Sequence, residues 1–168
     1  MAKTTLALLP GSYDPITLGH LDVICRAAAC FDGVVVAVMT NDMKKYVATA
    51  TSKEYMFTME ERTAFAAAAC AELPNVRVIS STARLIDLVD ELGADLIVKG
   101  IRNEADYAYE QHHALYNRAH NARAETLYLP ADPRFDGISS TLVRERLSKG
   151  EGIDDLVPRA VAEMMAKR

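Results

Sequence analysis

Residues 4–20 read TTLALLPGSYDPITLGH, and this stretch decides the fold. Its apolar start, residues 4–9, stops at Pro10-Gly11, which is typical of a short strand buried on both faces. A turn rich in Gly and Pro then enters a helical pattern over residues 21–31, with His20 in the first turn of that helix. A buried strand, a tight turn and a helix in this order predict the first unit of a parallel α/β sheet.

The same alternation continues along the chain. Further strands are predicted at residues 34–39, 76–80, 96–99 and 126–129, and further helices at residues 59–71, 85–92, 105–122, 142–149 and 158–168. Such alternation implies right-handed crossovers between parallel strands. We therefore expect residues 1–168 to form a single-domain Rossmann-like α/β fold, with a parallel sheet of about five strands and helices on both faces. In that architecture ligands bind beyond the carboxyl ends of the strands.

Composition limits the classes of function. The net charge of -4 offers no general attraction to nucleic acid or anionic lipid, so we predict neither as a partner. No apolar run approaches the roughly 18 residues that span a bilayer, and the first residues lack the pattern of a signal peptide. We expect a cytoplasmic protein. The three cysteines are odd in number and lack Cys-x-x-Cys spacing, which predicts buried, reduced thiols.

The turn after the first strand is suited to binding an anion. Gly11 and Gly19 let the main chain approach a phosphate, while the helix start supplies unpaired N–H donors and partial positive charge. The ring of His20 adds another donor. A histidine can also simply pack at a helix start, but the glycine-rich setting favours the binding role.

A second phosphate site is predicted at Ile138-Ser139-Ser140-Thr141, directly before a helical pattern. An ordinary N-cap needs one hydroxyl, and three in succession exceed that need.

Cations follow two strands, as Lys44-Lys45 and as Lys99 with Arg102, which suggests a focused anion site at one rim of the sheet. The remaining histidines, His112, His113 and His120, lack metal-ligand spacing and are interpreted as a polar helical face. Neither a P-loop nor a dinucleotide-binding glycine motif is present.

Residues 11–20, GSYDPITLGH, and 138–144, ISSTLVR, resemble the paired signature of the nucleotidyltransferase superfamily that contains a Thr/His-x-Gly-His motif. With residues 56–62, MFTMEER, 98–102, VKGIR, and 106–110, DYAYE, nearly the whole chain resembles the bacterial phosphopantetheine adenylyltransferases. The resemblance implies transfer of the adenylyl group of ATP to 4'-phosphopantetheine, giving dephospho-coenzyme A and pyrophosphate by direct in-line displacement assisted by Mg²⁺.

The resemblance also implies roles for individual residues. His20 corresponds to the stabiliser of the transition state. Contacts with ATP are implied for Ser12, Tyr13, His20, Gly100, Ile101, Arg102, Glu110, Phe135, Asp136, Gly137, Ile138, Ser139, Ser140 and Thr141. Contacts with the acceptor are implied for Ser12, Lys44, Leu85 and Lys99, and no protein ligand to a metal is predicted. The family further implies a homohexamer inhibited by coenzyme A. The chain departs from it in the added residues 46–55, in the segment 135–137, and in Lys99, where many members carry arginine.

Three alternative functions remain at this point. The phosphate motifs are shared with nicotinamide mononucleotide adenylyltransferases and with cytidylyltransferases, and only the acceptor pocket separates these enzymes. Lys44, Leu85 and Lys99 favour phosphopantetheine. A non-catalytic nucleotide-binding regulator could use the same fold, but the presence of His20 and both phosphate motifs argues against it.

Overall fold

The computed structural model describes residues 4–40 and 54–167. Within these ranges strands and helices alternate as the sequence predicts. The elements in chain order are β1 (Leu6–Gly11), α1 (Leu18–Cys30), β2 (Gly33–Met39), α2 (Met59–Ala69), β3 (Val76–Ser81), α3 (Leu85–Leu92), β4 (Leu96–Ile101), α4 (Glu104–His120), β5 (Thr126–Pro130), a 3-10 turn (Pro133–Phe135), α5 (Ser140–Ser148) and α6 (Arg159–Met165).

The described strands form one sheet in the order β3-β2-β1-β4-β5, and every neighbouring pair is parallel. The chain first builds outward from β1 to β3 and then crosses over to add β4 on the other side of β1. The order therefore reverses between β1 and β4. The carboxyl ends of strands at such a reversal leave a crevice for ligands. The predicted parallel sheet of about five strands is confirmed.

Alternate residues of each central strand face opposite sides of the sheet. In β1, Ala7 and Leu9 pack in a core with α1, α2, α5 and α6. The residue between them, Leu8, packs in a second core with α3. Both faces of the strand are therefore covered by helices, which explains why its sequence is an unbroken apolar run. The prediction of helices on both faces is confirmed.

Local capping explains where α1 begins. The helix starts at Leu18, three residues before the start of the predicted pattern, because the side chain of Thr17 accepts a hydrogen bond from the N–H of His20. At α2 the spacing of Thr58 and Glu61 gives a capping box, since each of the two side chains accepts the backbone N–H of the other residue. Gly150 follows α5 with a φ of +70°, a left-handed conformation that glycine adopts readily.

The cysteines correct one expectation. Cys70 is buried, whereas Cys25 and Cys30 are exposed on α1, so the prediction of burial is wrong for two of the three. An Ala-rich helix carries little difference in polarity between its faces, and its sequence does not show which side meets the sheet. None of the helices in the described ranges has the length and apolarity that crossing a bilayer requires.

Candidate active site

A cavity of about 740 Å³ opens at the carboxyl ends of β1 and β4, where the strand order reverses. Its walls come from the turn after β1, the end of β4, the starts of α1, α3 and α5, and one side of α4. His20 and Thr141 both line it, although 120 positions separate them in the chain. The two predicted phosphate-binding helix starts therefore meet at a single cavity.

The turn between β1 and α1 is shaped by Tyr13. This residue has a φ of +45°, its ring is buried, and its hydroxyl donates to the carbonyl of Leu9 at 3.0 Å. Burial raises the pKa of the Tyr13 hydroxyl, which therefore remains protonated. A Cβ at Gly11 would lie 2.9 Å from the Tyr13 ring, so the turn needs glycine there. Gly19 is less constrained, since a Cβ would meet nothing closer than Phe135, at 3.7 Å.

The protonation of His20 follows from its role in the helix cap. The backbone N–H of Thr17 lies 3.1 Å from His20 Nδ1, and the Thr17 hydroxyl lies 2.9 Å from the same nitrogen. A backbone N–H can only donate, so Nδ1 accepts and the neutral ring carries its proton on Nε2. The ring edge also packs against Tyr13, with 5.1 Å between ring centres. The cap thus sets both the tautomer and the orientation of the imidazole.

The start of α5 is fastened to the same turn. Ser139 caps the helix by accepting the N–H of Leu142, whereas the hydroxyl of Ser140 donates to the carbonyl of Pro15 at 2.7 Å. Arg144 donates to the carbonyl of Asp14 at 2.6 Å and to the hydroxyl of Thr141 at 3.2 Å. All three consecutive hydroxyls therefore have protein partners, and only one of them serves as the cap.

Beyond β4, two cations of the predicted site are paired with acids of α4. Lys99 lies 3.2 Å from Glu110, and Arg102 lies 2.7 Å from Asp106. Hydrogen bonds from Arg102 lower the pKa of Asp106 and raise the pKa of Arg102 itself. Between the two cations stands Gly100, where a Cβ would lie only 2.8 Å from the side chain of Val23 on α1. A side chain at this position would push α1 away from the sheet.

The cavity wall is locally basic although the chain is acidic overall. Four basic side chains line it, namely Arg84, Lys99, Arg102 and Arg144, against the two carboxylates of Asp106 and Glu110. Low-dielectric walls that carry one sign of charge concentrate the field on a bound anion. Phe135 supplies an aromatic face at the same rim. The arrangement suits a ligand with several phosphate groups and a flat aromatic ring.

Known proteins match this chain along nearly its whole length. A family model described as cytidylyltransferase-like covers residues 8–146. The phosphopantetheine adenylyltransferase of Limosilactobacillus fermentum is 41% identical over 163 residues, which cover 97% of this chain and 89% of that protein. Its counterpart in Levilactobacillus brevis is 41% identical over 164 residues, which cover 98% and 96%.

The chain belongs to the phosphopantetheine adenylyltransferase family. A solved structure from Vibrio parahaemolyticus, described as a nicotinate-nucleotide adenylyltransferase, superposes with a TM-score of 0.63 over 98% of this chain and 99% of that one. Its sequence identity is 17%, so this likeness concerns the fold.

Most site residues predicted from the family resemblance lie on the cavity wall. These are Ser12, Tyr13, His20, Leu85, Lys99, Gly100, Arg102, Glu110, Phe135, Ile138, Ser139, Ser140 and Thr141. Three others, Ile101, Asp136 and Gly137, adjoin wall residues in the chain but do not line the cavity. Lys44 lies outside the described residues.

The structure also places residues in the cavity that the phosphopantetheine adenylyltransferase motifs do not include. His112 and His113, which the sequence indicates as part of a polar helical face, both line it. Burial lowers the pKa of His113. The spacing could have shown this, because His113 and Asn117 follow Glu110 on one helical face. Arg84, also on the wall, stands immediately before α3 and had no comparable signal.

Proposed function

We propose that this chain transfers the adenylyl group of ATP to 4'-phosphopantetheine, giving dephospho-coenzyme A and pyrophosphate in coenzyme A biosynthesis. The observation that carries the proposal is the meeting of the His20 turn and the start of α5 at one basic cavity. The family supports the choice of acceptor, because relatives that cover nearly the whole chain are phosphopantetheine adenylyltransferases.

The chemistry needs alignment more than activation. A phosphate monoester is already a nucleophile at neutral pH, so the acceptor requires no general base and the reaction requires no covalent intermediate. ATP would occupy the side formed by the turn after β1 and the start of α5. The acceptor would extend toward Leu85 and Lys99, which also line the cavity. One cavity thus holds both reactants for in-line attack on the α-phosphorus.

Hydrogen bonds within the protein restrict which atoms can stabilise the transition state. The Nε2–H of His20 is the donor for the equatorial oxygens of the α-phosphorus. The Ser140 hydroxyl already donates to Pro15, so its contribution toward a phosphate is the backbone N–H at the helix start. Thr141 accepts from Arg144 and keeps its own hydroxyl proton for donation. Together with Arg102, these groups would hold the departing pyrophosphate.

Magnesium fits this site as a companion of ATP. In the described parts of the chain no group of three or more His, Cys, Asp or Glu side chains could hold a metal ion. The two carboxylates on the wall are each paired with a cation. Mg²⁺ is commonly bound through substrate phosphates and water with few protein carboxylates. We expect the triphosphate to carry the ion, which would neutralise part of the charge that develops on pyrophosphate.

Oligomer and regulation are further parts of the proposal. α4 spans Glu104–His120 without one buried residue, and it exposes Tyr107 and Leu115. Such an apolar face supports the homohexamer that the family implies.

Coenzyme A contains both a pantetheine arm and an adenine nucleotide, and a cavity that accepts both reactants could bind it as an inhibitor. We also propose that the protein acts in the cytoplasm, as the sequence leads us to expect.

Pyrophosphate release tests the reaction directly. The purified protein is supplied with Mg²⁺, with ATP or CTP, and with 4'-phosphopantetheine, nicotinamide mononucleotide or no acceptor. We expect release with ATP and 4'-phosphopantetheine and none without an acceptor. Preference for nicotinamide mononucleotide or for CTP would reassign the substrates. Nucleotide binding without release in any mixture would favour the regulator.

A further inference from the structure

Arg62 is the largest fully buried side chain of the described residues, with 1% of its surface exposed. It stands on α2 and does not line the cavity. Burying a guanidinium is costly unless its donors find acceptors, and an apolar side chain of similar volume often holds a core position at lower cost. Packing therefore does not account for the presence of a charge here.

The hydrogen bonds of Arg62 reach three separate segments. Nη1 donates to the carbonyl of Ser12 at 2.5 Å and to the carbonyl of Met39 at 3.2 Å, and Nε donates to Phe57 at 3.2 Å. The guanidinium carbon also lies 4.2 Å from the centre of the Tyr55 ring. One planar group thus links the turn after β1, the last residue of β2 and the segment before α2.

The contact with Ser12 determines how the next amide is oriented. The peptide bond between Ser12 and Tyr13 is trans, so its carbonyl and its N–H point in opposite directions. With the carbonyl turned to Arg62, the N–H of Tyr13 points away from Arg62, and Tyr13 itself lines the cavity. Across residues 4–40 and 54–167 that N–H donates to no protein acceptor. It is available to an anion.

The same turn is held from a second direction. The fully buried carboxylate of Asp14 accepts the backbone N–H groups of Met56 and Phe57, each at 3.0 Å. The carbonyl of Phe57 in turn accepts a hydrogen bond from Arg62. The turn and the segment before α2 therefore brace each other through one buried anion and one buried cation. This leaves the Ser12–Tyr13 peptide little freedom to rotate.

We propose that Arg62 is a positioning residue for adenylyl transfer, holding the Ser12–Tyr13 peptide with its N–H directed at the substrate phosphates while touching no substrate itself. The inference rests on the proposed function, because it assigns Arg62 to the alignment of that reaction. A peptide that rotates away must be reoriented before each transfer, which lowers kcat more than it weakens binding. Replacing Arg62 with a neutral side chain should therefore lower kcat.

Two variants on α2 test the proposal. Arg62→Met keeps much of the volume and removes every donor, and we expect kcat per folded molecule to fall about 100-fold with KM for either substrate changed less than about threefold. Phe65→Leu is the matched control, since Phe65 is also buried on α2 and its ring packs against Phe57, so the variant perturbs the same segment without removing a hydrogen bond. It should lower Tm while leaving kcat per folded molecule within about twofold of wild type.

Arg62→Lys supplies an intermediate case. It keeps the charge but loses the planar fork, so it cannot reach all three carbonyls at once, and we expect kcat to fall about 10-fold. Turnover near that of wild type in Arg62→Met would overturn the proposal. An equal loss of kcat in Phe65→Leu would also overturn the proposal. Failure of both Arg62 variants to fold would do the same, because Arg62 would then be required for the fold as a whole. Wild-type activity is measured first: its absence refutes the proposed function, whereas active but unchanged Arg62 variants refute only the positioning role.

Discussion

At the scale of single residues, the proposed function assigns the helix cap and the reaction to different atoms of His20. Nδ1 accepts the N–H of Thr17 as part of the cap, which leaves the proton on Nε2 for the proposed contact with substrate. A variant can therefore remove one function and keep the other. Asparagine places an acceptor close to the position of Nδ1, whereas glutamine places an amide donor close to the position of Nε2.

We expect His20→Asn to lower kcat about 100-fold or more while preserving the cap and the fold, by analogy with removing one donor from an oxyanion hole. His20→Gln should retain more turnover than His20→Asn. Steady-state pyrophosphate release gives kcat, and thermal unfolding reports the fold. Near-normal turnover of His20→Asn would remove His20 from the stabilising role.

Gly100 illustrates a glycine that packing requires. A Cβ there would lie 2.8 Å from Val23, whose short β-branched side chain has little freedom to move. We expect Gly100→Ala to lower the free energy of unfolding by about 1 to 3 kcal/mol. In the double variant with Val23→Ala, the combined loss should be smaller than the sum of the single losses, by more than about 0.5 kcal/mol. Urea unfolding of all four proteins measures this coupling, and strict additivity would show that the two residues do not compete for space.

At the scale of elements, the start of α5 divides its work among successive residues. Ser139 caps the helix, Ser140 ties it to Pro15, and Thr141 pairs with Arg144. Arg144 adds a second tie to Asp14 at 2.6 Å. The helix start and the turn after β1 therefore form one rigid rim, and the N–H groups at that start are held at the cavity.

Two serine variants separate capping from placement of this rim. Ser139→Ala and Ser140→Ala should each destabilise the protein by about 1 kcal/mol, the first by losing the cap and the second by losing the bond to Pro15. KM for ATP should rise more in Ser140→Ala, because that bond aligns α5 with the turn that holds His20. Chemical denaturation and initial rates at varied ATP give the two quantities. An equal rise of KM in both variants would show that only the integrity of the helix matters.

At the scale of the whole molecule, α4 has two unlike sides. One side lines the cavity through Glu110, His113 and Asn117. Another exposes Tyr107 and Leu115, which border a smaller space of about 170 Å³ between α4 and β5. An apolar surface of this kind on a helix with no buried residue is what the proposed contact with other copies of the chain would cover.

Light scattering tests this assembly. The wild type should have a mass six times that of the 18.4 kDa chain. Leu115→Lys places a charge on a side chain that is 64% exposed in the isolated protomer, and we expect it to shift the mass toward smaller species with secondary structure retained. Glu151→Gln, at an exposed position outside α4, is a control of equal charge change. A monomeric wild type would contradict the hexamer and leave the chemistry unaffected.

Local patterns in the sequence were sufficient to predict the helices and strands and the edge of the sheet at which the cavity opens. Apolar runs, helical periodicity and caps depend on residues a few positions apart, so the parallel sheet, the capping box at Thr58 and the hydroxyl-rich start near Ser139 could all be predicted. Most of the residues that the resemblance to the family added line the cavity. Where these signals were weak, as for Cys25 and Cys30 on an Ala-rich helix, the prediction was wrong.

The sequence by itself determined that the strands alternate with helices and that two motifs suited to phosphate binding exist. Only the tertiary structure decided how those motifs are held, because the deciding contacts join residues far apart in the chain. Arg144 reaches Asp14 across 130 positions, and Arg62 reaches Ser12 across 50. No local pattern shows where a buried guanidinium finds its acceptors, since the cost of burying a charge is offset only by groups that folding brings together.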